Sequence, residues 1–560
     1  MKADLTRDTF HPLKHYARVL MQQGRVQLDA DWNEQAGILL RYVQALAADL
    51  IGPAGGPLDN YGFAVSAIPG SSALDFGLSF GHYYVDGLLC QADYVPIAIF
   101  PTAKAGDYQV RNWNSDFEQK TVPLYEVFDD TLGATNTVLV QILNPKPLKN
   151  LVTLQPIPAG SSFSTFNNPK LRRLITYLQQ PDYPIPSGAG SPPALPANGF
   201  SQLFLDVWER TITYAEDDSI REVALGGPDT AARTKLVWQV KWVQPDSDGN
   251  PDCITPQELY NQFQPANRGW LQARAKQSSV STDPCIINPN AAYTGPENQL
   301  YRVEINRLGT AWDGNDPNDA TAATFKWSRE NGSVIYPIAS GGGTNTIVVE
   351  TLGRDDRFGL AEGEFVEVQD DRTVLMNNPG SLIVVHAIDP GSMTVTLDGT
   401  PDTNVGKDQV LHPLLRRWDH EAGDPEEGGL TLANDNCAFV QEGVWLNLED
   451  GVQINFQPAS PVPAAAGTTP PQNQYRTSDY WLIPARTATA DVEWPRVLDA
   501  QGNPETDSQG NVLPVALPPH GVTHHYAPLA VILTSGTGVS VEQDCRHPFE
   551  TVVTTTQRNL

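Results

Sequence analysis

The chain has 560 residues, 65 acidic side chains against 37 basic ones, and a formal charge of −28. Such length rules out a small fold held mainly by staples and leaves room for several cored domains. Such charge repels phosphate backbones and anionic headgroups and argues against nucleic acid or membrane as partners.

The first fifty residues join an extended arm to one patterned helix. From Trp32 the apolar side chains fall at Trp32, Ala36, Leu39, Val43, Leu46 and Leu50 in alternating steps of four and three, the spacing of a coiled-coil seam. Asp29 or Asp31 supplies an N-cap oxygen, and Gly52 with Pro53 ends the helix. At 1.5 Å per residue, about twenty residues span ~30 Å. The seam packs either on the chain's own β-domains or on another subunit, and fewer than three heptads leave both readings open. On the second of these readings residues 1–56 form an attachment and oligomerisation segment whose site is those six side chains.

Beyond it, 45 glycines, 46 prolines and 12 tryptophans, with many short runs of Val, Ile, Thr and Tyr, predict a mainly β, multi-domain protein of small barrels and sandwiches. A β-domain is expected over 57–180. In it LSFGHYYVDGLLCQADYV forms a hairpin turning on Asp86-Gly87, and LITYLQQ (174–180) forms a short helix. Residues 181–199 read as a Pro/Gly-rich linker or loop. A β-rich domain with short helices follows over 200–340, with Gly226-Gly227-Pro228-Asp229 as a helix start and the ENQLYRVEINRLG and TFKWSRENGSVIY strands as partners. Turns at about ten-residue spacing predict a five-stranded barrel-like module over 341–406, and 407–560 reads as a C-terminal β-domain with a Pro-rich insert at 457–474.

The cysteines Cys90, Cys253, Cys285, Cys437 and Cys545 are scattered without a CxxC pair and read as mostly buried thiols. No apolar run of eighteen residues occurs, and no charged-then-apolar leader precedes Thr6, so neither a membrane span nor a secretory signal is expected. Synthesis in the cytoplasm follows, and later assembly into a particle or release by lysis leaves no mark in these residues.

The strings TRDTFHPLKHYARVLMQQGRVQLDADWNEQ, GHYYVDGLLC, LDVWERTITYAEDDSIREVALGGPDTAARTKLVWQVK, GPENQLYRVEIN, TFKWSRENGSV and YRTSDYWLIPAR resemble an uncharacterised family encoded in phage-tail-like contractile injection system loci. The arm with GRVQLDADWNEQ is also similar to the N-termini of phage baseplate and tail-fibre proteins, where such a segment anchors the chain. The resemblance covers nearly the whole chain, the stretches 181–199 and 457–474 reading as variable extras. It implies a structural component of a contractile particle, attached through roughly Thr6 to Leu50, with other particle subunits and copies of itself, a trimer first, as partners. No enzyme activity and no cofactor are implied.

Two other readings compete. Paired carboxylates with exposed aromatics suit a glycan-binding or glycan-cleaving tail spike, but Asp206 with Glu209 and Glu364 with Glu367 lie three apart on predicted strands, on opposite faces. His520, His524 and His525 offer imidazoles for a metal-dependent enzyme, yet PPHGVTHHYAPLA reads as a loop entering a strand, where helical spacing has no meaning. The Asp/Asn-rich loops 244–252, 312–319 and 499–511 could hold calcium, but counting from Asp246 puts Pro251 and Gln257 where an EF-hand needs Gly and Glu, so Asx-turns are expected. Trp208, Trp238, Trp242, Trp327 and Trp481 read as core residues, and Arg302, Arg329, Arg476 and Arg486 as members of structural ion pairs.

Overall fold

The computed structural model describes residues 2–68, 74–114, 117, 124–129, 137–183, 192–227, 229–245, 252–264, 268–276, 293–353, 359–459, 472–508, 511–536 and 538–550. They are mainly β, with small closed barrels, several sheets and the expected N-terminal helix, α1 (Asp29–Ile51). Two further helices, α2 (Pro256–Phe263) and α3 (Asp371–Leu375), are short.

The chain forms two compact units from interleaved segments, rather than a file of consecutive domains. One takes Met1–Tyr42, Trp208–Lys235 and Asn261–Thr523; the other takes Val43–Val207, Leu236–Tyr260 and His524–Leu560. The expected boundaries at 180, 200, 340 and 406 follow local composition, whereas strand pairing joins residues hundreds of positions apart.

In the first unit a five-stranded sheet runs in the order Ala438–Phe439, Thr324–Ser328, Gln299–Arg307, Tyr480–Arg486, Asp491–Val492. The two strands expected to be partners do pair, antiparallel, with Glu304 opposite Lys326. Alternation sends Tyr301, Val303 and Ile305 into an apolar core with Trp327 and Trp481. Arg302, Glu304 and Asn306 are buried as well, so this strand is covered on both faces. The module expected over 341–406 is a closed barrel of six strands, because Ile335–Ser340 and Leu414–Trp418 pair with each other and complete it from outside those bounds. Closure leaves no free edge, and that requirement carries no local signature.

In the second unit Gly81–Val85 and Leu88–Ala92 form the expected hairpin, with Asp86 (φ 47°) and Gly87 (φ 79°) both left-handed as a type I′ turn demands. A second six-stranded closed barrel spans residues 97–173. LITYLQQ is not a helix: Ile175–Thr176 is a short strand against Phe76–Leu78, and Leu174, Ile175 and Tyr177 are all buried, a run that a one-sided surface helix does not offer. The 226–229 stretch likewise starts no helix, since a 3-10 turn over Val223–Leu225 ends at Gly226 (φ 91°); Pro228 lies outside the described residues. The second-unit parts of Asn198–Ile212 and Arg233–Val243 form a four-stranded sheet with His525–Ser535 and Gly538–Asp544. Leu203, Leu205, Val207, Ala527, Leu529 and Ile532 pack there with Phe63, Tyr83 and Trp238.

The cysteine expectation needs correction. Cys90 and Cys437 are buried thiols, but Cys253 and Cys545 form a disulfide with a Cα–Cα separation of 5.6 Å. Cys285 lies outside the described residues. Gln202 sits under the crosslink, accepting from the Ile254 N–H and donating to Cys545 Sγ and the Ala530 carbonyl. The bond closes a separation of 292 residues, so it restrains the unfolded chain strongly. Cys253→Ser is expected to lower the second unit's stability by about 3 kcal/mol, read as faster hydrogen exchange at His525–Ser535 under non-reducing conditions; unchanged exchange would count against the crosslink.

Candidate functional site

The arm is not free along its whole length. Lys2 Nζ reaches Glu304 at 2.8 Å, Asn331 Nδ2 donates to the Ala3 carbonyl at 2.9 Å, Arg486 donates to the Thr6 carbonyl at 2.9 Å, and Arg7 pairs with Glu493 at 3.3 Å. These bonds hold residues 2–7 on the chain's own first unit. Arm and helix are also tied to each other. Thr6 donates through N and Oγ1 to Asp29, Thr9 Oγ1 donates to Glu34 at 2.7 Å, and Val19 N donates to Gln35 Oε1 at 2.8 Å. Asp29 thus offers both carboxylate oxygens to the arm. Asp31 reaches back to the Leu28 N–H instead, as an N3 acid does in a capping box.

The helix rests on the face opposite its seam. Ala30 and Ile38 are buried, and a Cβ at Gly37 would meet the Phe10 ring. Farther along, the Asp86-Gly87 turn tip lies against the Gln44 backbone, where only a glycine fits. At the other end Gly52, with φ 92°, closes the helix as expected.

All six seam residues, Trp32, Ala36, Leu39, Val43, Leu46 and Leu50, are exposed. Leu40 and Tyr42 flank them, and exposure of the large members runs from 47 % at Leu40 to 77 % at Leu50. Thirteen of the thirty large apolar side chains exposed among the described residues lie between Leu13 and Leu50. This clustering, on one helix and the segment leading into it, is denser than the singly scattered apolar side chains of an ordinary surface. None of the described later residues covers the seam.

The histidines are not brought together around a metal. The His520 ring stacks on Tyr480, His524 Nδ1 bonds Asp206 at 2.6 Å, and His525 Nδ1 bonds Asp86 at 2.8 Å. No group of three or more His, Cys, Asp or Glu side chains placed to hold a metal occurs among the described residues. His525 begins a strand, so the spacing of four has no helix to act on.

The carboxylate pairs diverge. Asp206 is buried and bonded by Lys241 as well as His524, whereas Glu209 faces solvent. Glu367 is wholly buried against Lys326, away from the part-exposed Glu364. The acidic loops consume their own oxygens: Asp313 accepts from Asn315, Asp319 from Thr321, Asp499 from Asn503 and Asp507 from Asn511. Most of the 244–252 loop lies outside the described residues. Gly77-Leu78-Ser79-Phe80-Gly81 has nucleophile-elbow spacing. It leads from strand to strand rather than strand to helix, and Ser79 Oγ accepts the Ala64 N–H at 2.8 Å.

Trp208, Trp238, Trp327 and Trp481 are buried, with Trp242 packed at a core margin. Arg302, Arg329, Arg476 and Arg486 pair with Glu304, Glu449, Asp479 and Glu493. Among the described residues no helix is long and apolar enough to cross a membrane.

A family model described as "Family of unknown function (DUF6519)" matches residues 1–137, 175–250 and 252–560. The match takes in the arm, α1 and both Pro-rich stretches; residues 138–174, left between, carry most of three strands of the 97–173 barrel. No curated protein and no solved structure matches the chain.

Proposed function

We propose that this chain, which belongs to the family of unknown function (DUF6519), is a structural component of a phage-tail-like contractile injection particle. It occupies a baseplate, fibre or accessory position, assembles as a homotrimer, and is attached through its N-terminal arm and helix. The observation that carries this reading is the uncovered seam of α1.

In heptad terms Trp32, Leu39 and Leu46 take d positions and Ala36, Val43 and Leu50 take a positions. The flanking e and g positions are Asn33, Leu40, Ala47, Gln35, Tyr42 and Asp49, so Asp49 alone is charged. In a chain of charge −28 that near-neutral edge lets identical helices approach without like-charge repulsion. Leu40 and Tyr42 broaden the stripe so that each helix can touch two neighbours, which favours three copies over two. Burial of each large side chain contributes roughly 1.5–3 kcal/mol. The resemblance to proteins of contractile injection loci supports the particle as the setting, with synthesis in the cytoplasm and release on lysis.

The test is co-sedimentation. When intact contractile particles are pelleted from a lysate, the chain is expected in the pellet and to stay with the particles through washing. Particles free of the chain, with all of it in the supernatant, overturn the reading.

A further inference from the structure

Residues 9–28, TFHPLKHYARVLMQQGRVQL, contain Lys14, Arg18 and Arg25 and no acidic residue. The rest of the chain therefore carries −31, the total of −28 less the three positive charges of this stretch. Lys14, Arg18 and Arg25 form no ion pair with any described residue, although acidic groups outnumber basic ones nearly two to one. Residues 11–18 and 20–28 are exposed, including Leu13, Tyr16, Leu20, Met21, Val26 and Leu28. Apart from a 3-10 turn at Pro12–Lys14 and a tight turn at Gln23-Gly24, the backbone is open.

Both ends of the stretch are fixed. Phe10 sits against Gly37, and Asp29 starts α1, while Val19 alone is tethered midway, to Gln35. The result is a basic, apolar loop that touches α1 at Val19 and where His11 and Tyr16 line a small cleft with Ile38 and Tyr42, and that leaves most of its side chains exposed.

We propose that residues 11–28 seat on the acidic surface of a neighbouring copy, so that each protomer of the trimer is strapped by the loop of the next. The inference rests on the trimer reading above and adds the occupant of the loop. Charge complementarity selects a second copy: three cations without an ion-pair partner, Lys14 lying over the Tyr16 ring, meet a body of charge −31, and the seam brings that body beside the loop. Attraction of this kind is screened by salt, whose Debye length falls from about 10 Å at 0.1 M to about 3 Å at 1 M. Seam packing is not.

The experiment uses the full chain and measures its association by sedimentation equilibrium at about 50 mM and about 500 mM NaCl, conditions that bracket the screening range. The triple variant Lys14→Glu, Arg18→Glu, Arg25→Glu is expected to associate at least tenfold more weakly than wild type at low salt, and the two converge at high salt. The neutral set Lys14→Gln, Arg18→Gln, Arg25→Gln should fall between. All three positions are exposed, so an unchanged thermal melt separates this effect from misfolding. A variant that trimerises like wild type at low salt overturns the strap alone. A wild-type chain that stays monomeric throughout overturns the trimer and the strap with it.

Discussion

Replacing Leu39, Val43 and Leu46 together by serine is expected to convert the trimer to a monomer, so that the mass in solution falls from three times 61.1 kDa to 61.1 kDa. All three side chains are exposed in the single chain, at 56 %, 64 % and 61 %. Their loss therefore removes nothing that holds one copy together, while at an interhelical seam each would be buried. Serine forfeits about 1.5 kcal/mol or more of apolar burial at each position, at least about 4 kcal/mol per chain. At 1.4 kcal/mol per tenfold, that is roughly a thousandfold in affinity. Because serine is a poorer helix former than leucine by a few tenths of a kcal/mol, far-UV circular dichroism should change little. Sedimentation velocity at micromolar concentration reads the result, and a triple variant with wild-type mass would remove the seam from consideration.

The second large effect concerns stability. Lys326 Nζ lies 2.6 Å from Glu367 Oε2, with both side chains fully buried. Trp418 Nε1 and the Gly380 N–H also donate to that carboxylate. Burial pushes the Glu367 carboxyl up, but Lys326 beside it, helped by Lys2, outweighs this and holds it below the ordinary carboxylate range. Lys326→Met leaves a buried charge without its cation and should cost about 3–5 kcal/mol.

In a protein of two units a global unfolding midpoint is a poor measure, so the readout is hydrogen exchange at Thr324–Ser328 and Phe365–Gln369. Exchange there is expected to accelerate more than a hundredfold, following the same 1.4 kcal/mol per decade. Adding Glu367→Gln, whose single carboxamide oxygen can accept from Trp418 while its NH2 group cannot accept from Gly380, removes the unpaired charge and should restore part of the protection. Protection unchanged in the single variant would mean the pair is not sealed from water. The pH sense follows from the depressed folded-state value: the pair's contribution is present above the unfolded carboxyl pKa and is lost as pH falls through the folded one.

Part of this buried network is legible in the strands themselves. Arg302 and Glu304 sit two apart in YRVEIN, hence on one face, and Lys326 is directly opposite Glu304 once the expected pairing is made. That face is covered, by the arm's Lys2 among others. That contact spans 302 residues, and no local pattern encodes it. The short helix expected at LITYLQQ fails for a related reason. Its spacing suits a one-sided helix, yet the fold buries Leu174, Ile175, Thr176 and Tyr177 in succession, and tertiary packing overrides a weak local preference. Cys253 and Cys545 show the same limit, since neither the 292-residue separation nor the count of cysteines indicates that they meet.

The sequence by itself determined what short-range chemistry controls: the β-rich class, α1 with its Gly52 stop, the Asp86-Gly87 turn, the pairing of Gln299–Arg307 with Thr324–Ser328, and the spacing of the six seam residues. Each rests on dihedral preference or apolar period within a few residues. Only the tertiary structure decided which side of α1 the chain keeps for itself. The same periodic pattern fits a helix buried on its own domain and a helix presented to another. What separates them is where Phe10, the 86–87 turn and the docked arm hold the backbone, and those positions are set by contacts between distant parts of the chain.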